Sequence, residues 1–291
     1  VRYATAGAFR AALEARLKSE QSDGVGLSRL RKRIVFERLL ARLQVVAPDG
    51  WLLKGGFALE LRLGGRARTT KDIDIDWIVG EGEATELLLD AAALELNDMF
   101  SFDVQRAAVD HELAGGGQRW MVRAELAGRD FERVVIDVGF GMPPVVEPVV
   151  LEVSRLLDFA EIPSIVVPAL AVEQHLAEKL HAYSRIYASD QPSSRVKDLV
   201  DIVVIAHTTP VDGERLWQAV TAIFKRRATH QLPKALVSPP RDWARPWATL
   251  VKHLPAEADL ASGFRVAAAF WNPVLAREDG SARWDPERLA W

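Results

Sequence analysis

"RARTTKDIDIDW", residues 66–77, sets Asp72, Asp74 and Asp76 at alternating positions behind arginines, threonines and a lysine. In an extended strand, side chains two apart share a face. The three carboxylates therefore point one way, with Ile73 and Ile75 buried behind them. Ionised carboxylates so placed repel one another unless a cation lies among them. Mg²⁺ suits the position, because it prefers oxygen ligands and takes one or two carboxylates together with substrate phosphates. Two such ions about 4 Å apart activate an attacking oxygen and steady a leaving one. On the triplet alone, a charged edge strand that resists aggregation is an equal reading.

The neighbouring sequence favours chemistry. "LLKGG" (52–56) puts Gly55 and Gly56 where a strand passes into a helix, and exposed N–H groups there cradle a phosphate. "VVIDVG" (134–139) carries one acid, Asp137, in an apolar strand, where an unpaired carboxylate is costly. If that strand lies beside residues 72–77, Asp137 completes a metal triad.

Working outward, "LSRLRKRIVFERLLARLQVV" (27–46) has the spacing of an amphipathic helix. Leu30, Ile34, Leu39 and Leu43 lie on its buried side, and Arg29, Arg31, Lys32, Arg33, Arg38 and Arg42 elsewhere. Residues 51–54 read as a strand, 83–97 as a helix, and 101–109, 118–127 and 131–138 as strands. A proline-rich connection follows, and from about residue 168 the pattern turns helical. The expected class is α+β, with a mixed-sheet domain over 1–160, a helical domain over 161–291, and the boundary near 150–167.

Composition sets limits. Hydrophobic residues at 49% and charged residues at 26% are those of a folded globular chain. The absence of cysteine excludes disulfides, thiolate metal sites and cysteine nucleophiles. No apolar run reaches the roughly 20 residues that span a bilayer, and the first residues lack a signal-peptide core. A cytoplasmic protein without a membrane partner is the expectation. The net charge of −3 hides an asymmetry. Residues 1–47 hold ten Lys and Arg against four Asp and Glu, residues 72–161 six against twenty, and residues 225–252 seven against one. An acidic centre between basic flanks suits a metal site with nucleic acid around it, although helix surfaces often carry such charge. Histidines 111, 175, 181, 207, 230 and 253 have no zinc spacing, since His175 and His181 face different sides of a helix.

"LKGGFALEL", "RARTTKDIDID", "VIDVGFG", "EKLHA" and "RVKDLVDI" occur in this order, and together they resemble the AbiEii family, the nucleotidyltransferase toxins of AbiE/MenT-type toxin–antitoxin systems. The resemblance covers about 52–205. It implies a polymerase-β-like nucleotidyltransferase domain, with Gly55-Gly56 as the phosphate-facing turn and Asp72 and Asp74 as metal carboxylates. Asp137 falls at the usual third-acid position, and Asp76 lies outside the core motif. Lys54, Thr70 and Lys71 join the nucleotide-binding set. From the helical block, the resemblance gives Lys179 to the triphosphate and Asp201 to positioning it or assisting the attacking hydroxyl. Arg185, Arg195 and Lys197 are further phosphate contacts, the last equally an ordinary i, i+4 partner of Asp201.

The expected activity is transfer of a nucleotide from an NTP, with Mg²⁺ or Mn²⁺, onto RNA. The resemblance points to the 3′ acceptor end of tRNA, with CTP or GTP as donor, and to a cognate antitoxin. Arg31, Lys32, Arg33, Lys225, Arg226 and Arg227 are the expected RNA contacts. Phe224, Trp243 and Trp247 either stack bases or, more simply, pack helices. A phosphate on Thr70 would set about two negative charges against the carboxylates and switch activity off. The rival readings are a nucleotidyltransferase acting on a protein or small molecule, and a non-catalytic binding module.

Overall fold

The computed structural model describes residues 1–21, 26–107, 117–141, 143–153, 155–185, 195–277 and 282–291. His111, Tyr187 and the end of the strand expected over 101–109 lie outside these residues. The chain divides into two compact units. The first holds Val1–Arg62, Thr69–Pro143 and Pro148–Ala169. The second holds Leu63–Arg68, Pro144–Glu147 and Leu170–Trp291.

In chain order the first unit is built from α1 (Ala6–Ser19), α2 (Leu27–Val46), β1 (Trp51–Lys54), α3 (Gly55–Leu63), β2 (Asp72–Trp77) and α4 (Glu81–Ala93). β3 (Phe100–Arg106), β4 (Gln118–Leu126), β5 (Arg129–Gly139), β6 (Val149–Glu152) and β7 (Val166–Ala169) follow. Among the described residues the strands form one seven-stranded sheet of order β3-β4-β5-β2-β1-β7-β6. β2 runs parallel to β5 and antiparallel to β1, so the sheet is mixed. The alternation of β2 decides its two faces. Ile73, Ile75 and Trp77 are fully buried and join one apolar cluster with Ile34, Leu39 and Leu43 of α2 and Leu88 of α4. The aspartates are left for the other face. The stretch read as an inter-domain boundary forms β6 and β7 at the sheet edge.

α2 departs from the expected amphipathic helix. It packs against α1, α4 and β5, so from Ile34 to Leu43 nothing faces water. Arg38 and Arg42 are therefore buried instead of forming a solvated basic face. Asp98 supplies the counter-charge: both of its oxygens accept from Arg42 at 2.8 Å, and Oδ2 also accepts from Arg38 at 2.7 Å. Arg42 donates further to Leu94 O, Arg38 O and Phe100 O, so each of its N–H groups has an acceptor. Burial opposes the Asp98 charge, but these arginines outweigh it and hold the carboxyl below the usual range.

The second unit is helical: α5 (Val172–Ser184), α6 (Val196–Thr208), α7 (Gly213–Arg227), α8 (Ala244–Val251) and α9 (Leu260–Ala276), with a short pairing of β8 (Val211–Asp212) and β9 (Arg283–Trp284). The near-continuous apolar run of α6 makes it the central helix, packed by α5, α8 and α9. Tryptophans finish this core. Trp247 is fully buried and donates to Glu257 O, and Trp284 donates to Ala206 O. Phe224 and Trp243 are each only 6% exposed, so these rings pack helices and present no face to a base. No helix among the described residues is long and apolar enough to cross a membrane.

Candidate active site

The acidic face of the sheet is organised by register. Lys54 on β1 stands opposite Asp74 on β2, Asp74 opposite Asp137 on β5, and Asp137 opposite Arg119 on β4. One row across four strands therefore reads Lys54–Asp74–Asp137–Arg119. Asp72 and Asp76 flank Asp74 on the same face, Asp72 partly exposed and Asp76 buried.

Two glycines make room for these carboxylates. Gly55 ends β1 and opens α3 at φ +65°, in the left-handed region that favours glycine. A Cβ at Gly55 would fall 1.8 Å from Asp74 Oδ2, so Asp74 lies directly against the start of α3. A Cβ at Gly139 would fall 2.3 Å from Asp76 Oδ1. That oxygen accepts from Lys54 Nζ, which answers the question Asp76 raised: it is the counter-charge of Lys54. Gly139→Ala should displace Asp76 and lower stability by about 1–3 kcal/mol, the range for overpacking a tight site. Thermal unfolding measures this, and an unchanged melting curve would mean Asp76 has space to yield.

Thr70 is 5% exposed and its hydroxyl donates to Asp72 Oδ1 at 2.9 Å, fixing that carboxylate. A kinase would find this hydroxyl enclosed, so the phosphate switch expected at Thr70 is not supported. Lys71 is exposed.

Arg119 was missed in the sequence. Its Nε and Nη2 donate to the two oxygens of Asp137, each at 2.7 Å, in a fork. The hydrogen bond with Asp137 first, then the charges of Asp137, Asp72 and Asp74, keep the guanidinium more firmly protonated than usual. Among the described residues no three His, Asp or Glu side chains are grouped so as to hold a metal ion. Asp137 is thus engaged by Arg119, while Asp72 and Asp74 share a face as the partly exposed carboxylates.

Within the second unit, Lys179 is buried and donates to Asp201 at 2.6 Å and Asp198 at 3.1 Å. Arg68 forks onto the same Asp201 at 2.8 and 3.0 Å. Burial disfavours both charged forms. The carboxylates nevertheless hold Lys179 above its ordinary range, and Lys179 with Arg68 holds Asp201 below its own. Lys197 and Arg195 are exposed, Arg195 lying 3.8 Å from Asp198, and Arg185 is half-buried.

The expected RNA contacts divide. Arg31 pairs with Glu14 at 2.7 Å and Arg33 lies 3.4 Å from Glu60, with Lys32 partly buried between them. Lys225 and Arg226 are exposed at the end of α7. Arg227 lies 3.5 Å from Glu178 and contacts His181. Burial first, then Arg227, depresses the His181 pKa to about 3, and its ring packs on Phe224 and His230.

The AbiEii family model, described as the nucleotidyl transferase AbiEii toxin of a type IV toxin–antitoxin system, matches residues 38–271. Among solved structures the chain is similar to MenT4, a nucleotidyltransferase toxin from Mycobacterium tuberculosis H37Rv. The TM-score is 0.61 at 20% identity, over 96% of this chain and 92% of that one. JHP933 from Helicobacter pylori gives a TM-score of 0.48 at 14% identity, over 85% and 95%. No curated protein matches. At such identities these likenesses concern the fold.

Proposed function

The chain belongs to the AbiEii family of nucleotidyltransferase toxins, and from that premise we propose a Mg²⁺-dependent enzyme with a polymerase-β-like first unit that adds nucleotides from an NTP to the 3′ end of tRNA. Mn²⁺ is the alternative ion, and a cognate antitoxin the expected partner. The observation that carries the reading is Asp74 lying against Gly55, where a Cβ would have no room. It joins a carboxylate to the start of a helix, a position whose N–H groups favour phosphate.

The residues suit a cation held by two carboxylates, Asp72 and Asp74, the number Mg²⁺ commonly takes from protein when phosphates supply the rest. Such an ion, when bound, would offset phosphate charge and assist ionisation of the attacking hydroxyl. The chain's own groups do the remainder. Thr70 holds the Asp72 carboxylate by its hydroxyl. Gly55 and Gly56 at the start of α3 receive the phosphates. The acceptor's terminal oxygen bonds to the α-phosphorus, the bond to pyrophosphate breaks, and the hydroxyl proton passes to water. Lys179 and Asp201 keep, in this reading, the roles towards the triphosphate that the family resemblance gives them.

Lys225 and Arg226, being exposed, are the best RNA contacts of the expected set. The pairing of Arg31 and Arg33 with Glu14 and Glu60 removes part of the basic surface. That favours, as a second reading, a protein or small-molecule acceptor. Incubation with total RNA, Mg²⁺ and each α-labelled NTP in turn separates the two. Label in RNA of tRNA size is the expected result. Label only in protein or small molecules would overturn the RNA assignment.

A further inference from the structure

We infer that Arg119 binds the phosphates of the nucleotide and that Asp137 is its positioning residue, not a third metal carboxylate. The inference rests on the nucleotidyltransferase reading above and adds a residue and a division of labour to it.

The charges on the acidic face argue for this division. Asp72, Asp74, Asp76 and Asp137 bring four negative charges, and Lys54 and Arg119 bring two positive ones, which leaves 4 − 2 = 2. Lys54 answers Asp76 and Arg119 answers Asp137. The face as a whole thus keeps two negative charges, which one divalent ion would balance. A triphosphate then arrives with more negative charge than that ion offsets, so a further cation is needed.

Arg119 is placed and prepared for that role. Its side chain is 30% exposed, against 12% for Asp137. A guanidinium carries five N–H donors. The bonds to Asp137 come from Nε and Nη2, so the Nη1 edge has no protein acceptor among the described residues. The fork onto Asp137 fixes the plane of the group and directs this outer edge away from the carboxylate. Planar, oriented donors of this kind are what phosphate oxygens accept from arginine, and lysine does not reproduce them. Asp137 in turn has both oxygens engaged by the fork. The alternative is that Arg119 only cancels the charge of Asp137.

Calorimetry on the full chain decides. The probes are non-hydrolysable α,β-imido analogues of the four NTPs with Mg²⁺, and Mn²⁺ alone followed by its electron paramagnetic resonance. Arg119→Gln should weaken the best-bound analogue by at least about tenfold, the value of one charge-assisted hydrogen bond, and leave Mn²⁺ affinity level or higher, because the guanidinium charge acts on Asp72 and Asp74 and opposes a cation there. The double variant Arg119→Gln with Asp137→Asn should be as weak as Arg119→Gln alone. Recovery of wild-type nucleotide affinity in the double variant would overturn the inference, because removing Asp137 would then have removed the need for Arg119. Loss of Mn²⁺ binding in Asp137→Asn would overturn it equally. Should Arg119→Gln fail to fold, Arg119→Lys keeps the charge without the fork. Weakened nucleotide binding there supports the inference, and wild-type binding defeats it. A wild-type protein that binds none of the four analogues would sink the nucleotidyltransferase reading itself, an outcome distinct from these.

Discussion

Asp74→Ala should lower nucleotide transfer roughly a thousandfold, about 4 kcal/mol of transition-state stabilisation, while the melting temperature stays level or rises. The two halves of that expectation have different causes. Asp74 sits in a row with Asp137 and between Asp72 and Asp76 on one face, so deleting its charge relieves repulsion within the fold. The same deletion removes one of the two carboxylates proposed to hold the ion. Asp72→Ala should behave alike. Gly55→Ala gives an independent approach, because it leaves every charge in place. Its φ of +65° and the 1.8 Å approach to Asp74 Oδ2 mean that a methyl group must push that carboxylate aside. Transfer should collapse as in Asp74→Ala, with about 1 kcal/mol of stability also lost to the left-handed backbone. Incorporation of labelled nucleotide beside a melting curve tests all three. Near-normal transfer by Asp74→Ala would end the two-carboxylate reading.

How far this site could be read from sequence depends on what each residue needed. β2 was legible because alternation alone assigns Asp72 and Asp74 to one face and Ile73 and Ile75 to the other. Gly55 was legible as a strand-to-helix junction, though not as the space for Asp74. Arg119 was not, and the reason is a single bulge. From the turn at Ala127 and Gly128, Leu126 faces Arg129 and Glu125 faces Asp130, but Ala124 then faces Glu132. The one-residue slip between Ala124 and Glu125 brings Arg119 opposite Asp137. Continued without it, the pairing would have set Arg119 against Ile136 on the wrong face. Nothing in "AELAGRDFE" announces that slip. Arg38 and Arg42 failed differently. Periodicity tells which residues differ from their neighbours, whereas α2 is covered on several sides and takes its counter-charge from Asp98, 56 residues on from Arg42.

Asp201→Ala should damage the second unit before it affects any chemistry. Its carboxylate is 2% exposed and is held by Lys179 and by the Arg68 fork, so its removal leaves two cations sharing a buried site that has lost a negative charge. Breaking one side of a buried ion pair costs about 3–5 kcal/mol, which should lower the melting temperature by roughly 10 °C. Asp201→Asn, which keeps the shape and some acceptor capacity, should cost less. The directions of the shifts also set a pH window. Asp201 is held below its ordinary range, so its contribution is complete above that range and is lost as pH falls through the depressed value. Lys179 is held above 10.5, so its part is complete below that pH and disappears only as pH rises beyond it. Wild-type stability should therefore carry this contribution across neutral pH and shed it in strong acid, and Asp201→Ala should flatten the acid limb. Melting curves from pH 2 to 8 measure both. If Asp201→Ala melts like the wild type yet transfers no nucleotide, the cluster serves the reaction directly, as the family resemblance of the "EKLHA" and "RVKDLVDI" blocks implies.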